Sequence, residues 1–206
     1  MQDSRWRRID HELPGLSSLF SPPPRRRCFI SYHHEDTGEV QRFVDAFGDA
    51  WEIFSSSALG LDLSSDIVDS PDTDYVMRAI RERYMSNTSV TLVMLGRCTW
   101  SRRYVDWEIQ ASLRSTAGSP ANGLLAVKLP SFSYGSGQFP ERLNANLLPA
   151  AGLTLPGQDC YARWIEYPAT AGVLRQAIEK AFQRRQTRGH LINNSGDRFA
   201  YNRRCQ

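Results

Sequence analysis

The run Val90–Leu95, reading Val, Thr, Leu, Val, Met, Leu, limits most strongly how this chain can fold. An apolar stretch of that length with hardly a polar break reads as a strand covered on both faces. The inner strands of parallel sheets look this way in sequence. A parallel sheet needs crossover connections, and the flanking sequence supplies them. Gly96–Trp100 makes a turn, Thr99 or Ser101 is placed to N-cap a helix, and Val105, Ile109, Ser112 and Leu113 recur at helical spacing as a narrow inward stripe.

Upstream, Arg27–Tyr32 is a short apolar first strand that ends in the polar turn His33–Gly38. Val40, Phe43, Val44 and Phe47 then share one helix face, and Trp51–Phe54 is a second strand. Ser55–Thr73, rich in Ser, Asp and Gly, reads as a long surface loop, a length more often functional than accidental. Asp74 can cap the next helix, with Val76, Ala79, Ile80 and Tyr84 inward. Downstream, Gly123–Leu129 is a fourth strand stopped by Pro130, and Arg163–Tyr167 a fifth strand at the edge. Thr170–Gln186 is a helix burying Val173, Leu174, Ala177, Ile178 and Phe182. Ser131–Cys160 mixes Gly, Pro, Ser and Asn and shows no usable period. Strands alternating with helices place the chain in the α/β class. The expected architecture is a flavodoxin-like, doubly wound, mainly parallel sheet of about five strands with helices on both faces.

The 206 residues suit one domain with extensions: 1–24 ahead of the fold, 25–187 the domain and 188–206 a loose tail. A formal charge of +3 is too small to argue for nucleic acid, and the arginines cluster toward the ends, as in solvated arms. Cys28, Cys98, Cys160 and Cys205 lie far apart with no CxxC spacing, which fits a reduced, cytoplasmic protein better than a disulfide framework or a zinc site. No apolar stretch reaches membrane-spanning length, and the N-terminal segment lacks the apolar core of a secretory signal.

In an open α/β sheet, ligands bind beyond the carboxyl ends of the strands. Glu108 is the carboxylate that the helix after Val90–Leu95 offers to that edge, and the turn His33, His34, Glu35, Asp36 should share it. Spacing alone favours a plainer reading, in which Glu108 pairs with Arg102 or Arg103 on the helix surface. Ser31 and Tyr32 close the first strand, and Phe29 or Tyr32 could stack on a ring. Arg97, Arg102 and Arg103 surround the turn before the helix and could offset phosphate charge, or simply remain solvated. Two histidines beside two acids invite a metal reading, but the spacing is crowded for zinc and would need a distant third ligand, so no metal is expected. A phosphoacceptor receiver domain fits badly, because Val93–Gly96 ends the central strand without an acid.

Three pieces together, CFISYHHED at Cys28–Asp36, NTSVTLVMLG at Asn87–Gly96 and RRYVDWEI at Arg102–Ile109, resemble a TIR domain, and within that superfamily the Thoeris anti-phage TIR proteins of the ThsB type. The resemblance runs well from about Arg27 to Lys128 and loosely thereafter. It implies an enzyme that cleaves NAD, its substrate, into an ADP-ribose-derived signal, cyclic by preference, that activates a downstream effector. Glu108 stands at the family's catalytic glutamate, and Phe29, Ser31, Tyr32, His33, Asp36, Arg97 and Arg103 are the candidate NAD contacts. Homo-oligomerisation through TIR contacts and a phage-derived trigger come with the same resemblance. The chain lacks the Gly-rich dinucleotide fingerprint, so NAD would not be held in the standard Rossmann manner. The alternative is a non-catalytic TIR interaction module on the same fold.

Overall fold

The computed structural model describes residues 25–48, 54–59, 69–116, 118–147 and 159–205. The expected N-terminal extension 1–24, residues Trp51–Ile53 of the expected second strand and positions 60–68 of the expected loop lie outside the described residues.

Among the described residues five parallel strands form one sheet: β1 (Arg26–Ser31), β2 (Phe54–Leu59), β3 (Val90–Leu95), β4 (Gly123–Lys128) and β5 (Arg163–Ile165), in the order β2-β1-β3-β4-β5. Helices α1 (Thr37–Phe47), α2 (Thr73–Tyr84), α3 (Arg103–Ser112), α4 (Glu141–Asn144) and α5 (Ala171–Thr187) complete the expected flavodoxin-like fold. Strand alternation decides which side each residue meets. Cys28, Ile30, Leu92, Met94, Leu125 and Val127 pack with α1 and α5. Phe29, Val93, Leu95, Leu124 and Ala126 turn the other way, toward α2, α3 and α4. Every residue of β3 is buried, as its unbroken apolar run requires.

This strand order reverses direction between β1 and β3. The crevice beyond their carboxyl ends is therefore the topological switch point, where open α/β sheets bind ligands.

Several local expectations need correction. Part of the stretch read as a loop after Phe54 is strand, since β2 runs Phe54–Leu59. Asp72, not Asp74, caps α2, accepting from the N–H groups of Asp74 and Tyr75. Val173 of α5 is 48% exposed, because the sheet ends at the three-residue β5 before it can cover that position.

The largest difference concerns the tail. Residues 193–205 run as an ordered strap along α3. Trp107 Nε1 donates to the Phe199 carbonyl, Asn194 Nδ2 to the Gln110 carbonyl and Phe199 N–H to Asp106. The helix N-terminus is completed by the same strap: Arg103 N–H donates to Asn202 Oδ1 at 3.0 Å, and Arg203 N–H to the Ser101 carbonyl. Neither Thr99 nor Ser101 caps α3, because both lie in a 3-10 turn where their hydroxyls serve Gly96 N–H and the Cys98 carbonyl. Covered by the strap, α3 is buried from Val105 to Ser112 instead of along one stripe.

Cys205 ends the strap in a disulfide to Cys98, with Cα atoms 5.7 Å apart, while Cys28 and Cys160 are buried thiols outside that disulfide. The expectation of fully reduced cysteines is corrected accordingly. A separation of 107 positions hid the pair in sequence; folding brings the β3–α3 turn and the chain end together. Among the described residues no helix is long and apolar enough to cross a membrane.

Candidate functional site

Two turns flank the β1/β3 crevice: His33–Asp36 after β1 and Gly96–Arg102 after β3. Glu108 reaches the crevice from α3. Successive helical residues turn by about 100°, so Glu108 and Asp106 point to opposite sides. Asp106 faces the strap, and Glu108 faces β1. Ser31, the last residue of β1, donates to Glu108 Oε2 at 2.5 Å. The strand pleat sets Ser31 on the same face as Phe29, toward α2 and α3, and this places its hydroxyl under the helix.

Glu108 is 3% exposed. Burial raises its carboxyl from the ordinary 4.5 to about 8, against the lowering effect of the Ser31 hydrogen bond. At neutral pH the enclosed side chain is therefore mostly protonated. The surface ion pair with Arg102 or Arg103 that spacing alone suggested is not what the structure contains.

The β1 turn contributes two more buried groups. His33 is 4% exposed, and burial, then the Arg102 charge, lowers its imidazole to about 4, so it is neutral at pH 7. Asp36 is raised to about 6, chiefly by burial, with Glu39 and Glu35 adding to the rise. Thr99 Oγ1 ties the two turns together, donating to Asp36 Oδ2 at 3.3 Å while accepting from Gly96 N–H at 2.8 Å. Gly96 is required here for space. A Cβ at that position would lie 2.1 Å from Asp36 Oδ2. We expect Gly96→Ala to expel the Asp36 carboxylate from its seat and to cost about 1–3 kcal/mol in chemical denaturation. Unchanged stability would mean that the turns yield without strain.

The remaining sequence-selected residues divide. Ser31, His33 and Asp36 gather with Glu108 around the carboxyl end of β1. Tyr32 is half-buried on the opposite face of the sheet, against the α1–α5 core. Phe29 is 1% exposed inside the α2–α3 core, so the stacking role expected of its ring is not available in this conformation. Arg97 is exposed beside the disulfide. Arg103 is drawn away by the strap: its guanidinium donates to Tyr104 Oη and the Ala200 carbonyl and lies over the Tyr104 ring. Arg102, which spacing could not separate from its neighbours, is the arginine whose charge reaches both His33 and Asp36. The signal that distinguishes it is position: it is the residue immediately before α3, facing back toward the β1 turn.

A cavity of about 520 Å³ lies between α3, α4 and the strap, lined by Asp106, Arg142, Phe199 and Arg203 among others. It opens on the Asp106 side of α3, away from Glu108.

A family model described as "Thoeris protein ThsB, TIR-like domain" matches residues 29–133, which run from within β1 into the turn after β4. A Bacillus cereus (strain MSX-D12) protein named "Putative cyclic ADP-D-ribose synthase ThsB1" is 28% identical over 115 residues, covering 54% of this chain. The matched stretch is 56% of that protein's length, so this chain spans little more than half of its relative. With the matched region holding β1, β3, the crevice between them and Glu108, the chain belongs to the ThsB TIR-like domain family of Thoeris proteins.

Proposed function

We propose that this protein cleaves NAD at its nicotinamide–ribose bond, with Glu108 as the catalytic carboxylate, and releases an ADP-ribose-derived signal in anti-phage defence. One observation carries the reading. Glu108, the one buried glutamate among the described residues, is oriented by Ser31 and stands at the switch point of a TIR sheet in a chain similar to a protein named "Putative cyclic ADP-D-ribose synthase ThsB1".

The chemistry needs little more. When the bond from ribose C1′ to the pyridinium nitrogen breaks, its electron pair leaves with nicotinamide, which departs neutral. No acid is required for that departure. The barrier lies in the positive charge that develops on the ribose, as in glycoside hydrolysis. An ionised Glu108 beside C1′ stabilises that charge and accepts hydrogen bonds from the sugar hydroxyls. Water adding to C1′ with loss of a proton gives ADP-ribose. An adenine nitrogen or hydroxyl of the same molecule adding instead closes a ring, and exclusion of water favours that outcome.

Glu108 is protonated and covered in the resting state, so turnover calls for opening and ionisation. A cationic nicotinamide ring entering beside it would lower its pKa. Ser31 holds the carboxyl, and Arg102, rather than Arg103, is placed to meet pyrophosphate charge. The cyclic product, the partner effector it activates, assembly through TIR contacts and a phage-derived trigger extend the same proposal.

The enclosure of Glu108 also favours a second reading, a TIR interaction module without catalysis. Mass spectrometry of NAD incubated with concentrated protein, and of extracts from phage-challenged cells expressing it, separates the two. Nicotinamide release with a ribosyl product supports the enzyme, and the product's mass distinguishes hydrolysis from ring closure. Absence of turnover in both settings would leave the interaction module.

A further inference from the structure

The polar turn after β1 contains an arrangement that bond cleavage at ribose C1′ does not itself call on. His33, His34 and Glu35 each offer one ligand atom, and the three atoms all lie within 4.8 Å of one another. Crowding in sequence therefore does not prevent convergence in space: the 3-10 turn His34–Asp36 turns these consecutive side chains toward a common point. We propose that His33, His34 and Glu35 form a binding site for a divalent transition-metal cation that prefers imidazole nitrogen, of the zinc, cobalt or copper type.

Three observations support the assignment beyond proximity. The His33 side chain is 4% exposed, yet among the described residues its Nε2 has no well-aligned hydrogen-bond partner. A buried imidazole nitrogen in a native fold normally has a partner. Glu35 Oε2 stands 3.2 Å from it, an ion-pair distance without the alignment of a full N–H···O bond, so nitrogen and carboxylate converge on one point. That separation is what two ligands of one tetrahedral ion show, about 3.3 Å apart for metal–ligand bonds near 2.0 Å. The His33 and His34 rings meet edge to face at 4.3 Å, which keeps the second imidazole beside the first. His34 and Glu35 are exposed, leaving a way in and room for water as the remaining ligand.

The turn is also held in place before any ion arrives. Asp36 N–H donates to the His33 carbonyl at 2.7 Å, Thr37 Oγ1 to the His34 carbonyl at 2.5 Å, and Asp36 is fastened to Thr99 across the crevice. Arg102 opposes a cation here, since its charge reaches His33. Glu35, Asp36 and Glu39 on the same stretch oppose Arg102 in turn. Nitrogen preference selects against magnesium and calcium, which take oxygen ligands.

The test uses the untagged full-length protein, stripped with chelator and titrated with Co(II). One equivalent should produce the intense visible bands of a low-coordinate cobalt site, and Zn(II) should displace it. His34→Ala and Glu35→Gln alter exposed side chains, so both variants should fold. Each should weaken binding by at least the roughly tenfold that loss of a mere supporting group costs at metal sites. Zn(II) should raise the melting temperature of the unaltered protein more than that of either variant. His190→Ala controls for an imidazole outside the cluster and should bind as the parent does. Failure of the parent to bind one equivalent, or full-strength binding by both cluster variants, overturns the site. These readouts need no NAD turnover.

Discussion

Replacing Glu108 with Gln is expected to reduce nicotinamide release by about 10³-fold, the upper range for loss of a group that stabilises transition-state charge. The same change should make stability less dependent on pH. The amide keeps an oxygen that can accept the Ser31 hydroxyl, so the side chain still fits between β1 and α3. It cannot ionise, however, and ionisation is what burial penalises. The native carboxyl titrates near 8 against an ordinary 4.5, so between those values the folded state binds the proton more tightly than the unfolded chain. Stability from Glu108 is thus fully present below about pH 4.5 and is lost as pH rises through about 8. At pH 7 the loss is on the order of 3 kcal/mol. Measured by denaturation, the stability of Glu108→Gln relative to the parent should rise from pH 5 to pH 8. A flat difference would show that Glu108 is not protonated in the resting fold. Full turnover by the variant would remove the catalytic assignment. In the parent, kcat/KM should climb with pH and level off above the free-enzyme value near 8. The kcat profile should level off at lower pH, because bound cationic substrate favours the carboxylate.

The parts of this site legible in the sequence are those fixed by local pattern. The apolar run of Val90–Leu95 dictated a doubly covered strand, and the helical period after it dictated a helix carrying Glu108. The first strand and its closing residues Ser31 and Tyr32 were legible too, while the face that Ser31 takes, opposite Ile30, is shown by the packing. What stayed hidden depends on contacts between distant residues. Asn193, Asn194, Ser195 and Gly196 have the composition of a loose tail, and nothing local predicts that they lie against α3. The cap of α3 comes from Asn202, a residue 99 positions away, so capping rules applied to Thr99 and Ser101 had to miss it. The same holds for Arg81, whose guanidinium donates to the Ala111 and Ser112 carbonyls at the other end of that helix. Both ends of the helix bearing Glu108 are thus finished by side chains from elsewhere in the fold.

Breaking the strap's polar anchor is expected to give the largest loss of stability. Arg142 of α4 donates to Asp106 Oδ1 at 2.9 Å, to Asn194 Oδ1, and to the Gly196 and Asp197 carbonyls. The two charged side chains are only 4% and 3% exposed. Arg142→Met keeps much of the volume but leaves Asp106 buried with Phe199 N–H as its remaining strong donor. Removing one partner of a buried pair costs about 3–5 kcal/mol, since the other charge is left uncompensated. For a chain of this size that corresponds to a fall in melting temperature of about 10 °C. Adding Asp106→Leu to Arg142→Met should recover part of the loss, because a fully apolar replacement carries no stranded charge. If the double variant is as unstable as the single one, the loss comes from the strap contacts at Asn194, Gly196 and Asp197 and not from the stranded carboxylate. Hydrogen exchange distinguishes the same causes locally. Amides of 193–202 should exchange faster in Arg142→Met, while the disulfide still fastens Cys205 to the β3–α3 turn. Faster exchange extending into α3 would mean that the strap, and not only the sheet, fixes the helix that positions Glu108. Protection retained in α3 would assign that task to Ser31 and Arg81, which hold the helix from its inner face and its C-terminal end.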